Sequence, residues 1–455
     1  MGKKILFWPD VYKEQGHWLP TFVWAKELLQ EEPEGSYEVS YMGIPDCKSL
    51  VGWFNKDIQY HEIFNKLYPL GYTDFSHTTP QGRWKPEHVL RIINGELDDI
   101  FTGDNKPDVL VSGYFTSLES LIIHYKYGVK VVISTTYLRH PENDPAMRAV
   151  QNLMAYPDTV KQCIIKSFID EDFYSAVPSR REEAIDKFVA PLTTFHELIP
   201  CPKEFDYQHY VHGSLVHYVE PCMTPLLDDE TNDNNVGQDG QTNDENQNLD
   251  APAETVKQYW DDFFDEREQN NQKIIFATAG SQILDYGKKA EHMFEELIRM
   301  MDTPQMEEYH LLLSVGEKLL RTRDWNLPDN VTVAGWVPQR KILSSGFVHC
   351  AFIHGGLATI KECIYFGVPF VIAPMGKDQL DNALRLRENG IDNMLDIETS
   401  RSDSYLRSMD KVITDFRIIN NLSRLKRIFE ESEERHEGLE IIKSEANSAN
   451  LQNNP

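Results

Sequence analysis

Along the first half of the chain, short apolar runs alternate with longer stretches whose apolar positions recur at helical spacing. ILFW (5–8) precedes LPTFVWAKELLQEE, VLVSGYF (109–115) precedes LESLIIHYKYG, and VKVVIST (129–135) follows at once. Continuous apolar runs suit strands buried on both faces, so the alternation predicts a parallel sheet flanked by helices. It breaks at 228–250, DDETNDNNVGQDGQTNDENQNLD, a stretch without Lys or Arg and almost without apolar residues. Such a segment buries too little surface to offset its ordering entropy and reads as a disordered linker or looped-out insertion. The alternation then restarts with KIIFATAGS (273–281), a helix near 288–301, YHLLLSVG (309–316), VTVAGW (331–336), HCAFIHGG (349–356), a helix from about 357, and VPFVIAP (368–374). Two Rossmann-like halves joined by a linker account for the whole pattern, with ligands expected at the carboxyl ends of the strands. A charged helical stretch, 403–438, and a frayed end, ANSANLQNNP, close the chain.

Composition narrows what such a fold can do. At 455 residues the chain has room for two or three domains, each of about 150 residues. Apolar residues at 41% and aromatics at 11% support a substantial core. The 72 acidic and 45 basic side chains leave a formal charge of −27. That field repels phosphate backbones and anionic lipid, so nucleic acid and membrane surfaces are not expected partners. MGKKILFWPD is too short an apolar stretch for a signal peptide or a transmembrane span. Cysteines 47, 163, 201, 222, 350 and 363 form no CxxC pair and no regular spacing. Reduced thiols and a cytoplasmic location are therefore expected, with no metal site.

The densest chemistry lies in AFIHGGLATIKECIYFGVPFVIAPMGKDQLDNA (351–383). A buried strand ends at Ile353, His354-Gly355-Gly356 makes the turn, and a helix runs from Leu357 to Phe366. Glycines there let backbone N–H groups approach a ligand, and the helix N-terminus adds unpaired donors and a positive dipole end. An anion, most naturally a pyrophosphate, belongs at that turn, with His354 and Thr359 as further donors. The dipole alone contributes only about 0.3–1 kcal/mol, so several donors must act together.

WVPQ (336–339), ILSS, FIHGG, Glu362, GVP (367–369) and Asp378-Gln379 together resemble, in order and spacing, the donor-binding motif of UDP-glycosyltransferases. GHWLP (16–20) resembles the N-terminal GHxxP of the same family. The resemblance implies an α/β chain of GT-B fold, two Rossmann-like domains facing across a cleft, with a C-terminal helix crossing back to the N-domain. The corresponding division is an acceptor-binding domain at 1–220, a linker with the acidic insertion at 221–255, a nucleotide-sugar domain at 256–400, helices packing back on the N-domain at 401–440, and a flexible tail at 441–455. By resemblance, Trp336 stacks on uracil and the backbone of Val337 pairs with its edge. Gln339 and Glu362 address the ribose, His354, Gly356, Thr359 and Ser281 hold the diphosphate, and Asp378 and Gln379 bind the sugar, most often glucose. His17 matches the catalytic base. The implied reaction is inverting transfer from a UDP-sugar co-substrate to a small apolar or aromatic acceptor, without cofactor or metal.

Three positions depart from that pattern. Tyr114 stands where many members carry an Asp that pairs with the histidine, leaving Asp10, Glu119 or Asp144 as replacements, or a lone His17 suited to a phenolic acceptor. Leu357-Ala358 replaces Trp-Asn, and Ser345 replaces a common His. The aromatics Trp53, Phe54, Tyr68, Tyr72, Phe75, Trp84, Tyr114, Phe115 and Tyr137 are divided between core and an acceptor pocket. His209, His212 and His217 in HYVHGSLVH lack ligand spacing and read as a strand with incidental histidines. There is no GxGxxG after the first strand, and no GxxxxGK[ST], HExxH or GxSxG. A UDP-sugar 2-epimerase of the same fold, or a sugar-nucleotide binder without catalysis, would share the donor motif.

Overall fold

The computed structural model describes residues 2–72, 85–169, 178–224, 253–281 and 283–448. The acidic stretch 228–250, Phe75, Trp84 and residues 449–455 lie outside the described residues. Two compact units emerge: Met1–Pro200, His209–Leu226 and Arg435–Pro455 form the first, and Cys201–Gln208 with Leu227–Glu434 the second.

In the first unit, β1 (Lys3–Trp8), β2 (Tyr37–Gly43), β3 (Gln59–Glu62), β4 (Val109–Gly113), β5 (Lys130–Ser134), β6 (His196–Ile199) and β7 (Val216–Tyr218) form one parallel sheet, ordered β3-β2-β1-β4-β5-β6-β7. Residues 5–8 and 109–113 are buried throughout, the signature of central strands covered on both faces. The helices that concern the site are α1 (Gln15–Leu29), α2 (Ser117–Tyr127) and α3 (Pro145–Ala155). Helix α2 ends where Gly128 turns left-handed at φ 62°. Helix α3 starts where Asp144 accepts from the Met147 amide, with Pro145 at the first helical position. Within HYVHGSLVH only the end, from Val216, is strand.

The second unit has a parallel sheet of β8 (Lys273–Thr278), β9 (Tyr309–Ser314), β10 (Val331–Ala334), β11 (Val348–Ile353) and β12 (Phe370–Ile372), ordered β10-β9-β8-β11-β12. The strand order reverses direction between the neighbours β8 and β11. Loops leaving the carboxyl ends of such a pair open a crevice, which fixes where a ligand enters the sheet. Its helices include α4 (Lys288–Met301), α5 (Gln339–Ser344), α6 (Leu357–Phe366), α7 (Gln379–Glu388), α8 (Ser402–Thr414) and α9 (Phe416–Glu433). Residues 201–208 join this unit through Asp206, whose carboxylate accepts from Arg385 Nε at 2.7 Å with both side chains fully buried.

The C-terminal helices differ from expectation. Helices α8 and α9 stay on the second unit, α8 against α4, β11 and β12 and α9 against α6. Only α10 (Glu437–Asn447) returns to the first unit, where it packs on α1, β1, β4 and β5. It also occupies residues expected to be tail, because Leu439, Ile442 and Ala446 form an apolar stripe buried by that packing. Buried Glu220 clasps its first turn, accepting from the amides of Gly438 at 2.7 Å and Leu439 at 3.0 Å and from Trp24 Nε1 at 2.5 Å. A carboxylate at a helix N-terminus satisfies orphan donors and complements the dipole. Among the described residues no helix is long and apolar enough to cross a membrane.

Candidate active site

In the second unit, the loops leaving β8 and β11 meet around His354. Its ring is pressed between two glycines: a Cβ on Gly280 or Gly356 would lie 2.5 Å from the imidazole. Gly355 takes φ +96°, a conformation costly for any other residue. Gly356 caps α6 without a side-chain cap, so first-turn amides are left for a ligand. Burial, with Lys377 adding to it, pushes the His354 pKa down to about 4, and its Nδ1 is buried without a hydrogen-bond partner. The imidazole is therefore neutral at pH 7, able to donate one N–H without bringing charge into the turn.

Around this turn the other expected donor-site residues fall into three sets. Gln339 donates to Glu362 and to Thr359 Oγ1 at 3.3 Å, while the second Glu362 oxygen accepts from Arg340 Nε at 3.0 Å. Thr359 and Glu362 are buried, so Gln339, Arg340 and Glu362 orient one another before any ligand arrives. Trp336 is half-exposed in the turn after β10, its Nε1 without a partner, and Val337 beside it is buried. The last set lies at the start of α7: Asp378 accepts from Asn382 Nδ2 at 3.0 Å, and Gln379 is enclosed. Gln379 Oε1 takes the amides of Met375 at 2.7 Å and Gly376 at 3.1 Å, and its Nε2 donates to Tyr286 at 2.6 Å. Gln379 thus shapes the 375–376 turn as well as lying near it. Ser281 is exposed in the turn following β8. Sequence reasoning passed over Arg340 and Tyr286; the only trace of the first is its place directly after WVPQ.

In the first unit, His17 lies in the opening turn of α1, where its Nδ1 hydrogen-bonds Asp10. Asp10 is buried at 3% exposure, and its other oxygen accepts from the amides of Val11 at 2.6 Å and Tyr12 at 3.2 Å. A carboxylate so fixed accepts a hydrogen bond from Nδ1–H, which leaves the lone pair on Nε2. Glu14 Oε2 stands 3.7 Å from Nε2, and the ring of Phe115 lies 5.3 Å from the imidazole. The other two candidate carboxylates serve elsewhere. Glu119 is buried against His88 Nε2 at 2.8 Å, and Asp144 caps α3. The loop carrying Asp10 reaches β4 only because residue 113 is glycine: a Cβ there would fall 1.7 Å from the Pro9 carbonyl oxygen.

Residues 311–434 match the family described as UDP-glucoronosyl and UDP-glucosyl transferase. Human UDP-glucuronosyltransferase 2B7 is 27% identical over 181 residues, 39% of this chain and 31% of that protein. Human UDP-glucuronosyltransferase 2A3 is 36% identical over 99 residues, 22% of this chain and 19% of that protein. Residues 311–434 thus carry a UDP-glycosyltransferase domain, and the chain spans about a third or less of the length of these curated relatives. The solved glycosyltransferase of kitacinnamycin superposes with a TM-score of 0.62 at 18% identity, covering 98% of this chain and 99% of that one. A UDP-glucose:anthocyanidin 3-O-glucosyltransferase solved with UDP gives 0.58 at 14% identity over 98% of this chain and 99% of that one. Two parallel-sheet α/β units with these neighbours are the GT-B fold.

The departures from the family pattern have local explanations in this structure. Tyr114, at the position of the usual Asp, donates to the Asn143 carbonyl at 2.9 Å and so ties down the approach to α3. Ser345 donates to the Ile342 carbonyl at 2.7 Å and accepts from the Phe347 amide at 3.2 Å, closing the turn after α5. Ala358 lies in the first turn of α6 and contributes only backbone there.

Proposed function

We propose that the protein transfers a sugar, glucose by the family resemblance, from a UDP-sugar to the hydroxyl of a small aromatic acceptor in the cytoplasm, with inversion at the anomeric carbon. The observation that carries this reading is the convergence of Thr359, Gln339 and Glu362 on α6 behind the neutral His354 at its N-terminus, a donor-rich turn suited to a nucleoside diphosphate.

The acceptor hydroxyl oxygen attacks the anomeric carbon while the bond from that carbon to the UDP oxygen breaks. His17 Nε2 takes the hydroxyl proton, Asp10 stabilises the resulting imidazolium through Nδ1, and UDP leaves with the bonding electrons. Charge developing on the diphosphate is met by His354 and the first amides of α6, a preorganised arrangement that needs little reorganisation. A histidine base contributes about 10²–10⁴ in rate. Asp10, Glu14 and His17 also offer ligand atoms within 4.8 Å of one another, a set a divalent cation could use. In the proposed reaction they act without one, so a chelator should leave the rate unchanged.

The test is UDP release and product mass with UDP-glucose and UDP-glucuronate, each against phenols and aliphatic alcohols, for wild type and His17→Ala. A hexose on a phenol, lost in the variant, supports the reading. UDP binding with no acceptor gaining mass would sink it.

A further inference from the structure

Phe115 carries a second polar neighbour besides the base. Arg148, on α3, places Cζ 4.9 Å from the centre of the Phe115 ring, and Tyr137 stacks on the same ring at 5.8 Å with 19° between planes. Base and cation therefore rest against one ring. Phe115, Tyr137 and Arg148 are all half-exposed.

Arg148 is unusual in its surroundings. The chain has 72 acidic side chains against 45 basic ones. Yet the Arg148 side chain makes no ion pair and no hydrogen bond with any described residue, and its Nε is buried without a partner. Nearby Arg139, by contrast, is held by Glu197 at 2.7 and 2.5 Å. Asp144, the carboxylate nearest on its own element, is used to cap α3. Arg148 also sits in the first turn of that helix, where the positive dipole end disfavours a cation and favours an anion beside it. A half-exposed guanidinium whose buried Nε has no acceptor, lying over the ring that also carries the candidate base, is half of a recognition site.

We propose that the acceptor is a hydroxylated aromatic compound that also bears a carboxylate, its ring packing beside the Phe115–Tyr137 pair and Arg148 reading the carboxylate. The inference deepens the transferase reading and rests on it for the term acceptor, but binding tests it without turnover.

The experiment measures calorimetric affinities of the full chain for 2-naphthol and 6-hydroxy-2-naphthoate, for wild type, Arg148→Met and Arg148→Lys, with circular dichroism checking the fold. Wild type should favour the naphthoate, and Arg148→Met should cut the affinity ratio about tenfold or more, the size of a charge-assisted hydrogen bond. Arg148→Lys should retain part of the preference, and added salt should erode it. A wild type that prefers naphthol, or an Arg148→Met variant that weakens both compounds by the same factor, would overturn the proposal. Transfer onto each compound is followed separately by mass. Binding that depends on Arg148 with no transfer would discard the transferase reading and leave this one standing.

Discussion

The two units build their sites in opposite ways. In the second, the candidate donor residues lie in a nearly continuous run: β10, α5, β11, α6 and the start of α7 follow one another, and the side chains orient each other. In the first, the candidate base is assembled from distant pieces, with Asp10 and His17 before and within α1, Phe115 after β4, and Arg148 on α3. A site made of one segment tolerates loss of a member by leaning on its neighbours; a site gathered from several segments concentrates its chemistry in one or two groups.

The sharpest way to break the contrast is at His17. His17→Ala should lower kcat by about 10²–10⁴ while UDP affinity, measured by calorimetry, stays put; an equal loss of UDP binding would contradict the division of labour. Next comes Asp10→Asn. An amide donating to Nδ1 would force the proton onto Nε2, the wrong tautomer for a base, so we expect a loss of about 10²-fold or more, larger than that of Asp10→Ala.

Two smaller effects probe the second unit. Glu362→Ala leaves the part-buried Arg340 guanidinium without its carboxylate. Stability should fall by about 3 kcal/mol, and KM for the donor should rise more than kcat falls. The last effect, of comparable total size but only partly developed by pH 4.5, is the pH dependence of His354. Its folded pKa, near 4, lies below its unfolded value, so stability is full above about 6.5 and declines as pH falls towards 4, by on the order of 3 kcal/mol in total. His354→Gln should flatten that part of the stability curve, read from denaturant midpoints between pH 7 and pH 4.5. An unchanged slope would show that the ring charges without cost.

The same contrast governs what could be read from sequence. The donor residues were legible because local order preserves spacing: strand, glycine turn and helix place His354, Thr359 and Glu362 by their numbers alone. For the partner of His17, sequence left three carboxylates equivalent. Asp10 is distinguished by Gly113, whose missing side chain lets the Pro9 carbonyl approach β4, and close approach between residues about a hundred positions apart has no local signal. Arg148 was equally hidden, since what marks it is the absence of a partner. Helix α10 was shortened and the α8–α9 pair was assigned to the wrong unit because their polar exteriors are alike, and only buried neighbours tell them apart.

That last helix gives the first unit an order of events. Its sheet is encoded before residue 220, but the strip of surface over α1, β1, β4 and β5, and the buried Glu220 carboxylate, wait for residues 437–447. During synthesis, therefore, the second unit can close while the first still lacks a wall, and of the two units the one begun earlier is finished later.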